Sequence, residues 1–120
     1  WGDWHAETRA RQGLAAAYLA QGALEAAQTQ AMRGLTASHA VADRAGQALA
    51  LRQLAAISAA RGDYAEAQRQ AWHALAICTS TQAQALEREL LHTIAIYATA
   101  QGQHEEAAAA RQEAMRERAI

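Results

Sequence analysis

The stretch Arg61-Gly62-Asp63-Tyr64-Ala65-Glu66-Ala67 lies at the centre of the chain and decides its fold. Glycine reaches the left-handed conformation that closes a helix C-terminus without a steric penalty, so Gly62 predicts the end of one helix. Asp63, followed three residues later by Glu66, predicts the N-terminal cap of a second helix. The stretch therefore predicts a helical hairpin whose two helices meet at a glycine turn.

The same turn recurs at a fixed distance on both sides of Gly62. Gly22 and Gly102 lie forty residues before and after it. Further columns align at this period, namely Leu14, Leu54 and Ile94, then Ala15, Ala55 and Ala95, then Leu35, Leu75 and Met115. A fixed period of this size is typical of repeat proteins. We predict one domain, 1–120, made of three hairpin units at about 1–40, 41–80 and 81–120.

Six helices follow from the turns, near residues 4–21, 23–37, 41–61, 63–78, 81–101 and 103–118. The polar stretches 36–39 and 79–81 are predicted as the breaks between hairpins, with a capping box at Thr79 and Gln82 or at Thr81 and Gln84. The alanine columns permit close helix packing. Larger side chains are expected to fill the remaining gaps: Leu14, Leu54, Tyr64, Leu75 and Ile94.

The composition supports an all-α protein and excludes several classes. Of 120 residues, 52% are hydrophobic and 5% aromatic, and there is no proline, which disfavours β architectures and a large multi-domain enzyme. Eleven basic residues, all arginine, face twelve acidic ones, so no positive field attracts a phosphate backbone. No apolar run approaches the ~18 residues of a membrane span. We predict neither nucleic acid nor membrane as a partner.

No residue pattern indicates catalysis, a metal or a cofactor. Glu89 and His92 form a Glu-x-x-His pair, but a di-iron site needs a second such pair, which the chain lacks. Phosphate loops, dinucleotide fingerprints and nucleophile elbows are absent. The single cysteine, Cys78, excludes an internal disulfide and favours a reducing, cytoplasmic location. We expect it to be a small buried residue, and the protein not to be an enzyme.

The repeat resembles the tetratricopeptide repeat family. The segments 14–18, 51–55 and 91–95 are similar to its first-helix signature, and 62–67 to its Gly-Asp-Tyr-x-x-Ala turn. The unit is longer than the usual 34 residues and lacks the proline that ends the second helix. In this it is similar to the repeats of MalT-type bacterial regulators and kinesin light chains. The resemblance implies an all-α, right-handed superhelical array of three helix-turn-helix hairpins.

The resemblance also implies a concave peptide-binding groove lined by the first helix of each hairpin. Its positions fall here on Arg9, Gln12, Leu19, Leu49, Arg52, Glu89, His92 and Ile96. A peptide that offers an acidic group to Arg52 and an aliphatic side chain to Leu49 would suit them. Alternatively these side chains are solvated or paired within the array, as Arg52 with Glu89. The family's carboxylate clamp needs asparagine and lysine, and the chain contains neither.

The two ends of the array differ in polarity. His104, Arg111 and Gln112 replace apolar or small residues of the earlier units, and a terminal cap near residue 120 needs such a polar face. Trp1 and Trp4 are interpreted as apolar surface for a neighbouring segment or partner. A homodimer through the exposed apolar ends is consistent with this pattern.

Three functions remain open. The first is a protein–protein interaction module that binds a peptide or a neighbouring domain through the groove or the exposed apolar edge. The second is a ligand-sensing or dimerisation region of a larger bacterial signalling or transcription regulator, which a closed cavity lined by Arg52, His92 and Tyr97 would favour. The third is a helix-bundle enzyme or metal protein, which a bound metal or a compact bundle would favour.

Overall fold

A computed structural model describes residues 4–81 and 84–119, with side chains from 6 to 79 and from 84 to 116. Within these ranges the chain forms helices and no strand, which confirms the all-α prediction. The helices are α1 (Trp4–Ala20), α2 (Leu24–Ala40), α3 (Arg44–Ala60), α4 (Tyr64–Thr81), α5 (Gln84–Ala100) and α6 (His104–Ala119). None of these helices is long and apolar enough to cross a bilayer.

The helices pair into three hairpins that stack in chain order. α1 packs on α2, α3 on α4 and α5 on α6, while α2 contacts α3 and α4 contacts α5 between hairpins. α1 also touches α3. The array measures 47 × 32 × 18 Å, which is an elongated row of hairpins rather than a closed bundle. The two helices of each hairpin thus pack on each other, and each hairpin also packs against its neighbours in the row.

The glycine turns form as the sequence predicts. Gly22, Gly62 and Gly102 have φ values of 77°, 83° and 77°, in the left-handed region that glycine adopts most easily. Asp63 caps α4, because its Oδ1 accepts a hydrogen bond from the Glu66 amide at 3.1 Å. The Glu66 carboxylate pairs with Arg69, one turn further along α4.

The predicted breaks between hairpins were placed wrongly. Residues 36–39 belong to α2 and residues 79–81 to α4, and the first inter-hairpin turn follows at 41–43. The capping role of Thr79 is wrong as well, since its hydroxyl donates to the Ala76 carbonyl at 2.8 Å inside α4. A threonine hydroxyl can bond a carbonyl one turn back, so a polar run need not end a helix. Ala42 closes the turn with φ 54°, and no glycine is present there.

The core is built from the alanine columns and larger side chains of the second and third hairpins. Leu54 is 5% exposed, Ile94 0% and Leu75 8%, as predicted. Tyr64 packs at the edge of this core with its ring 6.1 Å from that of Tyr97. Leu14 does not fill a gap, because it is 42% exposed. Its column is covered by a preceding hairpin in the other two units.

Two buried glycines lie at helix contacts, Gly46 of α3 against α2 and Gly34 of α2 against α1. A Cβ on Gly46 would lie 2.5 Å from the Ser38 Oγ, closer than real Cβ contacts allow. Gly34 is buried one turn before Ser38 and accepts that hydroxyl's hydrogen bond at 2.9 Å. The absence of a side chain at Gly46 thus permits the close approach of α3 to α2.

Candidate binding groove on α1, α3 and α5

The predicted groove residues lie on the first helix of each hairpin, and we call this surface the groove face. Arg9, Glu89, His92 and Ile96 are exposed, and Ile96 is 62% exposed despite being apolar. The other four are half-buried, namely Gln12, Leu19, Leu49 and Arg52. Leu19 packs against the hydrophobic core, so its main role is structural.

Three of the eight predicted residues meet in one cleft between α1 and α3. Arg9, Gln12 and Leu49 line it. The cleft has a volume of about 320 Å³, and its remaining walls are Thr8, Asp43, Ala45 and Gly46. They come together because columns forty residues apart occupy equivalent places on adjacent, packed helices. The cleft combines an aliphatic floor with polar walls, which is the usual composition of a binding pocket.

Two glutamines hold the walls of this cleft at a fixed separation. The Gln53 Nε2 donates to the Gln12 carbonyl at 2.8 Å. In the opposite direction, the Gln12 Nε2 donates a longer bond of 3.4 Å to the Gly46 carbonyl. These bonds cross directly between α1 and α3. The cleft is therefore a preformed feature of the interface between the first two hairpins.

The two charged residues of the cleft, Asp43 and Arg9, differ in the hydrogen bonds that they make. Asp43 caps α3, because its Oδ1 accepts a hydrogen bond from the Gly46 amide at 3.0 Å. Arg9 makes no hydrogen bond or ion pair with any side chain in the described part of the chain, so its guanidinium can receive an anionic group. Beneath it, the Thr8 hydroxyl is buried without a hydrogen-bond partner.

Arg52 and Glu89 form an ion pair that bridges α3 and α5. The Arg52 Nη1 lies 3.0 Å from both carboxylate oxygens of Glu89. Their side chains are 36% and 56% exposed, so the pair contributes little to stability. Pairing within the array was one of the two alternatives for Arg52. A ligand carboxylate would have to displace Glu89 to reach it.

His92 and Ile96 continue the groove face along α5 but do not form a cleft with Arg9. His92 is exposed one turn after Glu89, and Ile96 one turn further on. Beyond them the Arg111 Nη2 donates to the Thr99 hydroxyl at 3.1 Å and ties α6 to this face. The predicted groove is therefore divided into an enclosed part on α1 and α3 and an open part on α5.

The structure separates the side chains of the predicted sensor cavity. Tyr97 is 7% exposed and packs in the core, whereas His92 faces solvent. Burial, and secondarily Tyr64, raises the pKa of the Tyr97 hydroxyl. Five residues on a helix correspond to about 140° around its axis, so the two side chains cannot line one cavity on α5.

Cys78 is fully buried, as expected of a small core residue. Burial and then the carboxylate of Glu87 raise the pKa of its thiol, while Arg52 acts in the opposite direction. A protonated, inaccessible thiol is a poor nucleophile. Among the described side chains, no three of His, Cys, Asp and Glu lie close enough together to hold a metal ion.

A wide depression lies away from the groove face. It has a volume of about 960 Å³ on the outer side of α2 and reaches to Arg61 of the next hairpin. The Arg61 Nη1 donates to the Gln28 side chain at 2.6 Å across its rim. Its width and shallow polar walls suit solvent better than a small ligand.

Sequence reasoning missed two wall residues of the α1–α3 cleft. Asp43 was overlooked because α3 was predicted to begin at residue 41, although Asp43 and Gly46 have the spacing of a cap. Thr8 carries no signal in the sequence, because its column holds Ala48 and Arg88 in the other units. Only the packing of α1 on α3 reveals it.

Comparisons with known proteins support the fold. The sequence matches no protein-family model and no curated protein. The structure is similar to the crystal structure of the TPR domain of Arabidopsis FLU, with a TM-score of 0.86 and 22% sequence identity. The likeness covers 93% of this chain and 94% of that domain. The chain therefore has the fold of a tetratricopeptide repeat domain.

Proposed function

We propose that this chain is a protein–protein interaction module that binds an extended peptide segment along its groove face. The observation that carries the proposal is the α1–α3 cleft, where Arg9 offers a cation and Leu49 an apolar floor. The side chains of Gln12 and Gln53 hold the walls of the cleft by hydrogen bonds to backbone carbonyls, so little ordering is needed on binding. The fold of a tetratricopeptide repeat domain supports the same function.

The chemistry of the groove face suggests what the peptide carries. A carboxylate opposite Arg9 gains a charge-assisted hydrogen bond, and an aliphatic side chain covers Leu49. A second apolar residue, further along the peptide, would cover the exposed Ile96 on α5. Arg52 is already paired with Glu89, so we assign the anion to Arg9 and not to Arg52.

Quantitative affinity capture tests the proposal. Immobilised wild-type chain and a Leu49→Asp variant are exposed to the same extract, and isotope ratios report each recovered protein. We expect a defined protein whose recovery falls at least several-fold on Leu49→Asp, because a carboxylate replaces the apolar floor. Arg116→Ala is the matched control, since Arg116 is exposed on α6 and away from the groove face. Equal recovery on Leu49→Asp and wild type would refute the groove.

A second candidate function is a dimerisation or ligand-sensing region of a larger bacterial regulator, of the kind built from long repeats. It draws on Leu14 and Met32, which are 42% and 49% exposed on the first hairpin. Light scattering would support it by showing a discrete dimer that Leu14→Gln dissociates. For either function we propose a cytoplasmic location, because the only cysteine is a buried free thiol.

A further inference from the structure

The junction between the first two hairpins shows how one hairpin packs against the preceding one. The groove between α3 and α4 is walled by Gln47, Leu51, His73 and Ile77. Against it lie Leu35, Thr36 and His39 of α2, around a residual gap of about 350 Å³. An apolar residue and a polar residue four positions later thus face this groove from the same side of one helix.

The first hairpin presents the same groove between α1 and α2. Forty residues earlier, the four walls become Glu7, Arg11, Arg33 and Ala37. These four line an open cleft of about 450 Å³, together with Met32, Thr36 and Ala40. No helix in the described part of the chain covers it. We call this surface the leading face.

Burial in equivalent columns shows that the leading face is shaped to be covered. Leu14 is 42% exposed, whereas Leu54 and Ile94 in its column are 5% and 0% exposed. Ala10 is likewise exposed, while Ala50 and Leu90 are fully buried. In the later units the preceding hairpin covers these columns. The leading face of the first hairpin is therefore equivalent to the surfaces by which the second and third hairpins pack against their preceding neighbours.

The chemistry of the leading face differs from that of the inner groove. Gln47, Leu51 and His73 are uncharged or mildly basic, but their counterparts are one acid and two arginines. Arg11 lies 3.6 Å from Glu7 and donates to the Gln30 side chain at 2.9 Å. Arg33 makes no hydrogen bond or ion pair with another described side chain. The face consequently has one surplus positive charge beside its apolar cleft.

We infer that the leading face docks an acidic amphipathic helix of a partner protein, in the position that α2 takes on α3 and α4. The helix would carry an apolar residue where Leu35 lies and a carboxylate four residues later, opposite Arg33. A second copy of this chain fits less well: Met115 of its α6 would take the place of Leu35, but Ala119, four residues later, offers no carboxylate to Arg33. This surface is separate from the proposed peptide groove.

A pair of helical peptides tests the inference. Both have the sequence of residues 24–40, with a hydrocarbon cross-link between positions 25 and 29, which are exposed in α2. One carries His39→Glu and the other His39→Arg. Each is labelled and titrated with the full chain at low ionic strength, and fluorescence anisotropy gives Kd. We expect the His39→Glu peptide to bind about two- to fivefold more tightly, as for a partly exposed ion pair.

Variants of the chain locate the peptide on the leading face. Arg33→Glu should reverse the preference between the two peptides, and Leu14→Gln should weaken both. Arg69→Ala removes an exposed arginine of α4 and is the control that should leave both affinities unchanged, whereas a loss on Leu49→Ala would place the peptides in the groove and overturn the inference. Loss of a captured partner on Leu49→Asp, with no saturable binding of either peptide, would overturn this inference and leave the groove intact. A preference that survives Arg33→Glu would also overturn it, as would self-association abolished by Leu14→Gln.

Discussion

The first and second hairpins carry the same sequence pattern but bury it differently. Leu14 and Leu54 occupy one column, yet Leu14 is 42% exposed and Leu54 is 5% exposed. The difference arises because the second hairpin has a preceding neighbour and the first has none among the described residues. A repeat pattern thus indicates which side chains can be buried, and their burial also requires a neighbouring hairpin that covers them.

Truncating the two leucines should give the largest contrast. Leu54→Ala leaves a cavity in a packed core and should lower the free energy of unfolding by about 2–5 kcal/mol. Leu14→Ala removes a side chain that is already partly in water, and its effect should be below about 1 kcal/mol. Urea denaturation followed by circular dichroism measures both. Similar losses for the two variants would show that a neighbour covers Leu14 in solution.

Glycine replacement sharpens the comparison at two helical sites. Gly46→Ala brings a Cβ against Ser38 and the Asp43 cap at the α2–α3 crossing, and should destabilise the chain by about 1–3 kcal/mol. Gly13→Ala meets no atom within 4 Å and should stabilise α1 by about 0.5–1 kcal/mol. Melting temperatures should therefore move in opposite directions. A gain from Gly46→Ala would mean that the two helices pack less closely than described.

The turn between the first two hairpins offers a smaller effect. Ala42 has φ 54°, a conformation that is unfavourable for an L-residue, whereas the turns inside hairpins use glycine. Ala42→Gly should relieve this strain and raise the free energy of unfolding by up to ~1 kcal/mol after the added entropy of the unfolded chain. Gly62→Ala, at φ 83°, is the reciprocal variant and should destabilise. Chemical denaturation of both variants checks the signs.

The Arg52–Glu89 pair should have the smallest effect on stability. A double-mutant cycle with Arg52→Ala and Glu89→Ala should give a coupling energy of about 0.2–1 kcal/mol, because both side chains are partly exposed. The coupling should decline as salt screens the charges. A much larger value that resists salt would indicate that the pair is a structural element of the α3–α5 contact.

The sequence determined the topology well because a glycine turn and a fixed period each have one dominant structural solution. Helix ends were less predictable: the hydroxyl of Thr79 bonds within α4, so a polar run continued as helix. The cleft residues Arg9 and Leu49 were found because equal columns share a face. Asp43 and Thr8 were not, since their roles depend on the exact start of α3 and on the packing of α1 against it.

The central claim is that the α1–α3 cleft recognises a peptide carrying an anionic group. Isothermal titration of the captured partner's binding segment against wild type, Arg9→Ala and Arg116→Ala tests it most directly, because both variants remove one exposed arginine. We expect Arg9→Ala to weaken binding about tenfold, the value of one charge-assisted hydrogen bond, and Arg116→Ala to leave Kd unchanged. Equal affinities for all three chains would contradict the claim.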